Sequence, residues 1–418
     1  MKKLYLFPGC SPYIGGAETL FHSIAERLKH EFDIHVLLQP GACENLFELQ
    51  PVTGVTLHNL STEYRFKCYD NGVLLCGGAS IGQIPNLIYP SQTKLVVWPL
   101  HTLELFMSFT PFVHYISTRF GYTFLRKYVN WMAEGSTIKS ILNNLNEKNG
   151  LIFMDYNTLA CSEYVLGISG KVVPLMVDFK DQIREKKTNE VPRIAWVGRL
   201  DSFKIHILEY IIRDMSKRKN TSFHIIGSGK AEKRIRALAN RLNFNITFHG
   251  FVEPSKLPDL IQTMDVVFAM GTSALQAGHL GVATVLVDYS EKRIKEDSYQ
   301  FSWLCDQVVI GVGQDINMPY FRRSTSLRGS DDFKTIGSQC HDYVEKYHGE
   351  SANKKLIEAL HTSTAPLSLV HEIKFIKPIQ KTLYIRLSKI RDKILKMRSQ
   401  YSYSFFEKVI DYFYPVVI

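Results

Sequence analysis

No run of apolar residues in this sequence approaches the roughly 20 that a bilayer-spanning helix needs, so a membrane-spanning protein is not expected. The opening Met1-Lys2-Lys3-Leu4-Tyr5-Leu6-Phe7 has the flavour of a signal peptide. Pro8-Gly9 ends the apolar run too early for an h-region, and the cytoplasm is the expected compartment. There is no Cys-x-x-Cys pair and no histidine cluster at metal-ligand spacing. The seven cysteines (10, 43, 68, 76, 161, 305 and 340) therefore read as reduced, mostly buried thiols, forming neither a disulfide framework nor a zinc site. Asp-x-Asp is absent too, which removes the usual sequence sign of a catalytic divalent cation. No internal repeat, zinc finger or low-complexity tract appears.

What the chain has is length and positive charge. Its 418 residues exceed the size at which single cores stop growing, so two domains with a cleft between them are expected. Lys plus Arg number 50 against 40 Asp plus Glu, a formal net charge of +10. That excess calls for an anionic partner: nucleic acid, anionic lipid or phosphorylated small molecules.

The pattern along the chain is strand, loop, helix, strand. Leu4 to Phe7 is an apolar run, Pro8 to Gly16 a loop, and Ala17 to His30 carries Leu20, Phe21, Ile24, Ala25 and Leu28 at helical spacing before a second strand at Asp33 to Leu38. Further β-rich runs stand at Val73 to Cys76, Leu95 to Trp98, Leu159 to Ser162 and Lys171 to Pro174. A polar stretch from Lys180 to Pro192 marks a linker. Beyond it strands are expected at 193 to 197, Ser222 to Ile226, Asn245 to His249, Asp265 to Met270 and Ala283 to Asp288. Helices alternate with them near 204 to 219 and at Ala231 to Leu242, Ser255 to Thr263 and Ala274 to Leu280. Such alternation makes a doubly wound parallel sheet.

Ligands of parallel sheets sit at the carboxyl ends of strands, and three loops there are equipped for a diphosphate. Gly198-Arg199-Leu200-Asp201-Ser202-Phe203-Lys204 offers a planar guanidinium and a compact second cation at a helix start, though a surface Arg and Lys beside a turn would look the same. In Gly227-Ser228-Gly229-Lys230 the glycines would let backbone approach a ligand. Gly271-Thr272-Ser273 opens a helix whose free N–H groups and hydroxyls suit an anion, with Gln276 in its first turn. Simple N-capping accounts for the same residues.

The order and spacing of Val197-Gly198-Arg199-Leu200 with Lys204, Ile225-Ile226-Gly227-Ser228-Gly229, Phe248-His249-Gly250-Phe251-Val252, Met264 to Phe268 and Ala274-Leu275-Gln276-Ala277 through Gly281-Val282-Ala283 resemble the donor domain of family 4-like, GT-B fold glycosyltransferases (glycosyl transferases group 1). The likeness is strong over 192 to 290. In the first half it is looser, resting on Gly15-Gly16-Ala17-Glu18, His101, and Cys161-Ser162-Glu163 leading to Val177-Asp178. The resemblance implies that Arg199 and Lys204 neutralise the departing diphosphate, that Gly15 and Gly16 let a loop close on the donor, and that His101 faces the reacting sugar. It also implies a donor site lined by Gly198, Gly227, Ser228, Gly229, Val252, Gly271, Thr272, Ser273 and Gln276, no cofactor, no metal, and transfer with retention of configuration. For His101 a structural role is the plain alternative. Family members carry two glutamates separated by seven residues; here those positions hold Phe268 and Gln276. The amide can still hydrogen-bond a ribose hydroxyl, whereas loss of the first carboxylate leaves the sugar unspecified.

Two further stretches concern surfaces. Between His101 and Met132, aromatics (Phe106, Phe109, Phe112, Tyr115, Phe120, Tyr122, Phe124, Tyr128, Trp131) alternate with Arg119, Arg126 and Lys127, which suits either helical core or a lipid headgroup interface. From Lys374 to Arg398, Ile376, Ile379, Leu383, Leu387, Ile390, Ile394 and Met397 form an apolar stripe on a helix whose charges are almost all positive. It suits an anionic membrane surface, or packing back on the first domain. No nucleic-acid motif accompanies the charge.

The expected architecture is α/β: two Rossmann-like doubly wound domains facing across a cleft (GT-B), with a first domain at 1–180, a donor domain at 192–362 and a basic amphipathic C-terminal tail at 363–418. The expected activity is transfer of a sugar from a UDP- or GDP-sugar to a glycan or lipid-linked glycan in bacterial surface polysaccharide synthesis, at the inner face of the membrane. A non-catalytic partner subunit and a nucleotide-sugar epimerase on the same fold are the alternatives.

Overall fold

The computed structural model describes residues 1–8, 16–39, 46–61, 63–69, 71–107, 113–134, 138–176, 189–218, 220–296, 298–306, 313–318 and 332–375. The first half contains strands β1 (Lys2–Phe7), β2 (Phe32–Leu38), β3 (Val55–Asn59), β4 (Val73–Gly77), β5 (Lys94–Trp98), β6 (Ile152–Phe153) and β7 (Lys171–Val172). The second contains β8 (Arg193–Val197), β9 (Ser222–Ile226), β10 (Ile246–Gly250), β11 (Val266–Ala269), β12 (Ala283–Leu286) and β13 (Ser302–Trp303). The first sheet has the order β3-β2-β1-β4-β5, every pair parallel. The second runs β10-β9-β8-β11-β12-β13, parallel except for β13. Both are doubly wound, and each reverses direction beside its first strand.

The strands read as continuous apolar runs because helices cover both faces of each sheet. In β1, Leu4 and Leu6 enter one core while Tyr5 and Phe7 enter the core on the opposite face. Trp98 and Trp196, one in each sheet, are the bulkiest fully buried side chains.

The β-rich run Leu159 to Ser162 lies within a helix, Tyr156–Leu166. Its caps decide the matter: the Asp155 carboxylate accepts from the N–H groups of Asn157 and Thr158, and Gly167 ends the helix in the left-handed region at φ 71°. The edge strand β3 and the antiparallel β13 were not anticipated.

After the second sheet the chain returns. Helix Phe333–His348 packs on β12 and on helix Thr272–His279. Helix Glu350–Thr362 then reaches the first half, where His361 stacks on Phe32 at 5.4 Å and pairs with Glu31 at 3.3 Å. Residues 363–375, expected to open the basic tail, are stitched along β5. Leu95 N–H donates to Ala365 O (2.7 Å), Leu367 N–H to Thr93 O (2.7 Å) and Ser363 Oγ to Leu95 O (2.9 Å), while Leu367 and Val370 are fully buried. The amphipathic stretch from 376 onward lies outside the described residues. Of the aromatics between 101 and 132, Phe106 and Tyr122 are core, whereas Phe120 and Phe124 are 55% and 47% exposed.

Gly337 shows how tight this return is. A Cβ there would run into the Gly281 carbonyl oxygen, which is backbone and cannot swing aside. Alanine is normally worth about 1 kcal/mol over glycine within a helix. Gly337→Ala is nevertheless expected to destabilise the protein by about 1–3 kcal/mol in urea unfolding, because overpacking outweighs propensity.

Candidate functional site

The carboxyl edges of the two sheets face each other, and among the described residues contacts cross between them. At the start of helix Gly16–Leu28, which follows β1 and its loop, a Cβ on Gly16 would lie 2.9 Å from Thr272 Oγ1, the first residue of the helix after β11. Absence of a side chain at Gly16 is what lets the two helix starts meet. Gly15 lies outside the described residues. In the loop after β5, His101 tilts against the Tyr289 ring at 4.8 Å, and Tyr289 OH shares a 2.8 Å hydrogen bond with Thr102 Oγ1. Tyr122 OH donates to Asp315 Oδ2 at 2.9 Å, both groups being buried. Tyr289 follows β12, so these contacts join strand-end loops of one sheet to helices and loops of the other.

Within the second sheet the loops after β8 and β11 flank the point where strand order reverses, the crevice in which open α/β sheets bind ligands. Arg199 and Lys204 belong to the first of these loops. Arg199 Nε is 3.1 Å from Asp201 Oδ2. Part of Lys204 is accessible, but its ammonium is packed in: a Cβ at Gly198 would lie 3.7 Å from Nζ. Burial first, and the neighbouring Arg199 guanidinium second, push the Lys204 ammonium down to about 8, with Asp201 opposing. Two like charges thus lie close together, with Asp201 offsetting them in part, and an added anion would relieve them further.

The Gly227-Ser228-Gly229 loop braces the Arg199 loop. Leu200 N–H donates to Ser228 O (2.9 Å), Ala231 N–H to Leu200 O (3.1 Å) and Gly227 N–H to Gly250 O (2.8 Å). Gly227 has φ +134°, and a Cβ on it would overlap the Gly198 carbonyl; one on Gly229 would sit 2.6 Å from Leu200 O. These glycines let backbone meet backbone, locking the Arg199 loop to its neighbour. Val252 lies beyond β10, half-buried, next to a Phe251 that is 61% exposed.

Gly271, at φ +63°, turns the chain into helix Thr272–His279, where Thr272, Ser273 and Gln276 remain partly accessible. Phe268 is not at this rim. It sits inside β11, 2% exposed, edge-on to Phe301 at 5.2 Å, so that position faces the core.

Two residues at the cleft escaped the sequence reading. The Glu104 carboxylate accepts from the N–H groups of Leu100 and His101 after β5 and of Gly78 and Ala79 after β4. Burial pushes it up to about 7 despite those donors. It holds the His101 loop, in which the Leu103 N–H donates to His101 Nδ1 at 3.1 Å and leaves the hydrogen of the neutral ring on Nε2. A carboxylate among Leu103, Leu105 and Phe106 was the available signal. Tyr289 carried none, because only the fold brings it to His101. The thiols of Cys68, Cys76, Cys161 and Cys340 are buried and that of Cys305 half-buried, all unpaired by disulfides; Cys10 and Cys43 lie outside the described residues.

Residues 191–305 match the sequence model of the family described as Glycosyl transferases group 1. Among solved structures, Anabaena Alr3699/HepE in complex with UDP is similar over 87% of this chain and 100% of its own, at 15% identity and a TM-score of 0.53. AviGT4, a glycosyltransferase involved in Avilamycin A biosynthesis, is similar over 87% of this chain and 98% of its own (12% identity, TM-score 0.49). The lipopolysaccharide outer core galactosyltransferase WaaB is similar over 91% and 100% (9% identity, TM-score 0.43). No curated protein sequence matches the chain. The doubly wound pair of sheets is the GT-B fold, and within it residues 191–305 are a glycosyl transferases group 1 domain, the mark of a glycosyltransferase.

Proposed function

We propose that this glycosyltransferase takes its sugar from a UDP-sugar and passes it to a glycan or lipid-linked glycan acceptor in bacterial surface polysaccharide synthesis. One observation carries the donor assignment. The cations of Arg199 and Lys204 are held by a backbone-locked loop at the strand-order reversal of the second sheet, with the Thr272 helix start beside them and Gly16 opposite. Uridine is preferred to guanosine because the Anabaena structure, which shares the fold over its whole length at a TM-score of 0.53, was solved with UDP.

In this reading Arg199 grips the diphosphate with its planar fork, and the Lys204 ammonium gains its full charge once the anion arrives. Both then oppose the negative charge that grows as the glycosidic bond breaks. Gln276 contacts the ribose, and backbone and hydroxyl groups of Gly271, Thr272 and Ser273 serve the donor where the first family glutamate is missing. His101, oriented by Leu103 and tilted against Tyr289, presents its Nε2 side to the sugar. Retention of configuration follows from the resemblance, with the leaving phosphate assisting deprotonation of the acceptor; NMR of the product anomer checks it.

Among the described residues no helix is long and apolar enough to cross a membrane. We place the enzyme at the inner face of the membrane, with the basic residues beyond 376 and the exposed Phe120 and Phe124 reaching anionic lipid. Removing 376–418 is then expected to abolish co-sedimentation with phosphatidylglycerol vesicles at low salt while leaving UDP binding intact. Retention on the vesicles after truncation would count against the tail.

For the donor site, calorimetry with UDP is the direct test. Arg199→Ala and Lys204→Met are each expected to weaken UDP about 10- to 100-fold, the range for a charge-assisted hydrogen bond, with no change in the urea midpoint comparable to that loss. Failure of the folded wild type to bind UDP would remove the reading.

The pH dependence has a definite sign. The Lys204 ammonium titrates near 8 when free and is held protonated when a diphosphate is bound, so binding takes up a proton above that pH. UDP affinity should stay level below about pH 8 and then fall, up to about tenfold per pH unit, while Lys204→Met flattens the profile.

A further inference from the structure

Away from the cleft, the fold brings together three side chains whose spacing in the sequence gave no hint of a metal site. His279 is the last residue of helix Thr272–His279, while His341 and Glu345 lie four residues apart on helix Phe333–His348. A four-residue step places both on one helix face. Because the two helices pack together, one donor atom from each of the three residues comes within 4.8 Å of the others.

The contacts around the cluster suit metal ligation. His341 Nδ1 is 2.6 Å from the backbone carbonyl of His279. A carbonyl can only accept, so Nδ1 carries the hydrogen and Nε2 keeps the lone pair in the neutral ring. Backbone carbonyls hold metal-binding imidazoles in this way, fixing tautomer and orientation. His279 Nδ1 is 2.8 Å from Glu345 Oε1, so an imidazole nitrogen and a carboxylate oxygen already point at one spot that an ion held by both would occupy. The histidines are half-buried, and the Glu345 side chain is 51% exposed, which leaves an entry path and room for a water ligand.

Two imidazoles and one carboxylate match Zn²⁺ and its neighbours among the divalent transition metals. Mg²⁺ and Ca²⁺ require oxygen-rich cages that these residues do not make. We infer that His279, His341 and Glu345 form a zinc-type site fastening the far end of the helix whose first residue meets Gly16. The ion takes the place of the hydrogen between His279 Nδ1 and Glu345, and the neutral ring carries its own hydrogen on Nε2. Its role is structural: the reaction lies at the opposite end of that helix and uses none of these groups.

The test uses the tag-free full chain, stripped with EDTA and titrated with ZnCl₂, with Co²⁺ as a visible-absorption probe. The expected result is about one Zn²⁺ per chain, a raised Tm and Co²⁺ bands that neither Mg²⁺ nor buffer reproduces. His341→Asn keeps an N–H for the His279 carbonyl but loses the ligand nitrogen, and Glu345→Gln changes an exposed group. Each should weaken Zn²⁺ roughly tenfold or more while UDP affinity is unchanged. Circular-dichroism melts of the metal-free variants separate ligand loss from unfolding. Absence of Zn²⁺ uptake by the wild type at micromolar concentrations, or equal affinity in both folded variants, overturns the site and leaves an ion pair with a helix cap.

Discussion

Parallel strands send every strand-to-helix turn out at one edge, and here two such edges are turned toward each other. Everything chemical in the protein depends on that constraint. The Arg199–Lys204 loop, the Thr272 helix start, the His101 loop and Tyr289 come from distant parts of the chain, yet all are delivered to one cleft by strand direction alone. Hydrogen bonding then makes the delivery rigid. Backbone bonds tie residues 198–200 to 227–231, and the Glu104 carboxylate ties the loop after β4 to the loop after β5. The groups of the proposed donor site therefore rest on short, braced turns, an arrangement that limits the reorganisation left for a reaction there.

The sequence disclosed the second half well because its strands are uninterrupted apolar runs separated by helices of ordinary length. The strand expected at 193–197 appears as Arg193–Val197 and that at Ser222–Ile226 without change, while β11 and β12 fall inside their expected runs. Leu159 to Ser162 misled because four apolar or small residues carry no periodicity of their own; the information lay in Asp155 and Gly167, outside the run. Strand β3 escaped for the reverse reason. Thr56, Leu57 and Asn59 are exposed at the sheet edge, so the alternating pattern that marks a half-buried strand is weak there.

At the site, what could be read was whatever a motif carries in consecutive residues. The positions of Arg199, Lys204 and the Thr272 turn at strand ends were legible; the backbone bracing by Gly227 and Gly229 was not, since glycine permits close approach without saying whether ligand or backbone does the approaching. Phe268 was aligned with a functional carboxylate by spacing, yet its strand position turns it inward against Phe301. Long-range pairings such as His101 with Tyr289, Tyr122 with Asp315, and His279 with Glu345 leave no local trace, because each partner looks ordinary in its own neighbourhood.

The strip at 363–375 has a consequence for how the protein is made. It supplies Ala365, Leu367 and Val370 to the core of the first half and hydrogen bonds to Leu95 and Thr93 on or beside β5. During synthesis on the ribosome, β5 emerges more than two hundred residues before that strip exists. The second sheet, whose strands lie between 193 and 303 and whose covering helix ends at His348, is complete before that strip emerges. The earlier-born half must therefore wait, incompletely sealed, for the later-born half to finish and hand back its closing segment.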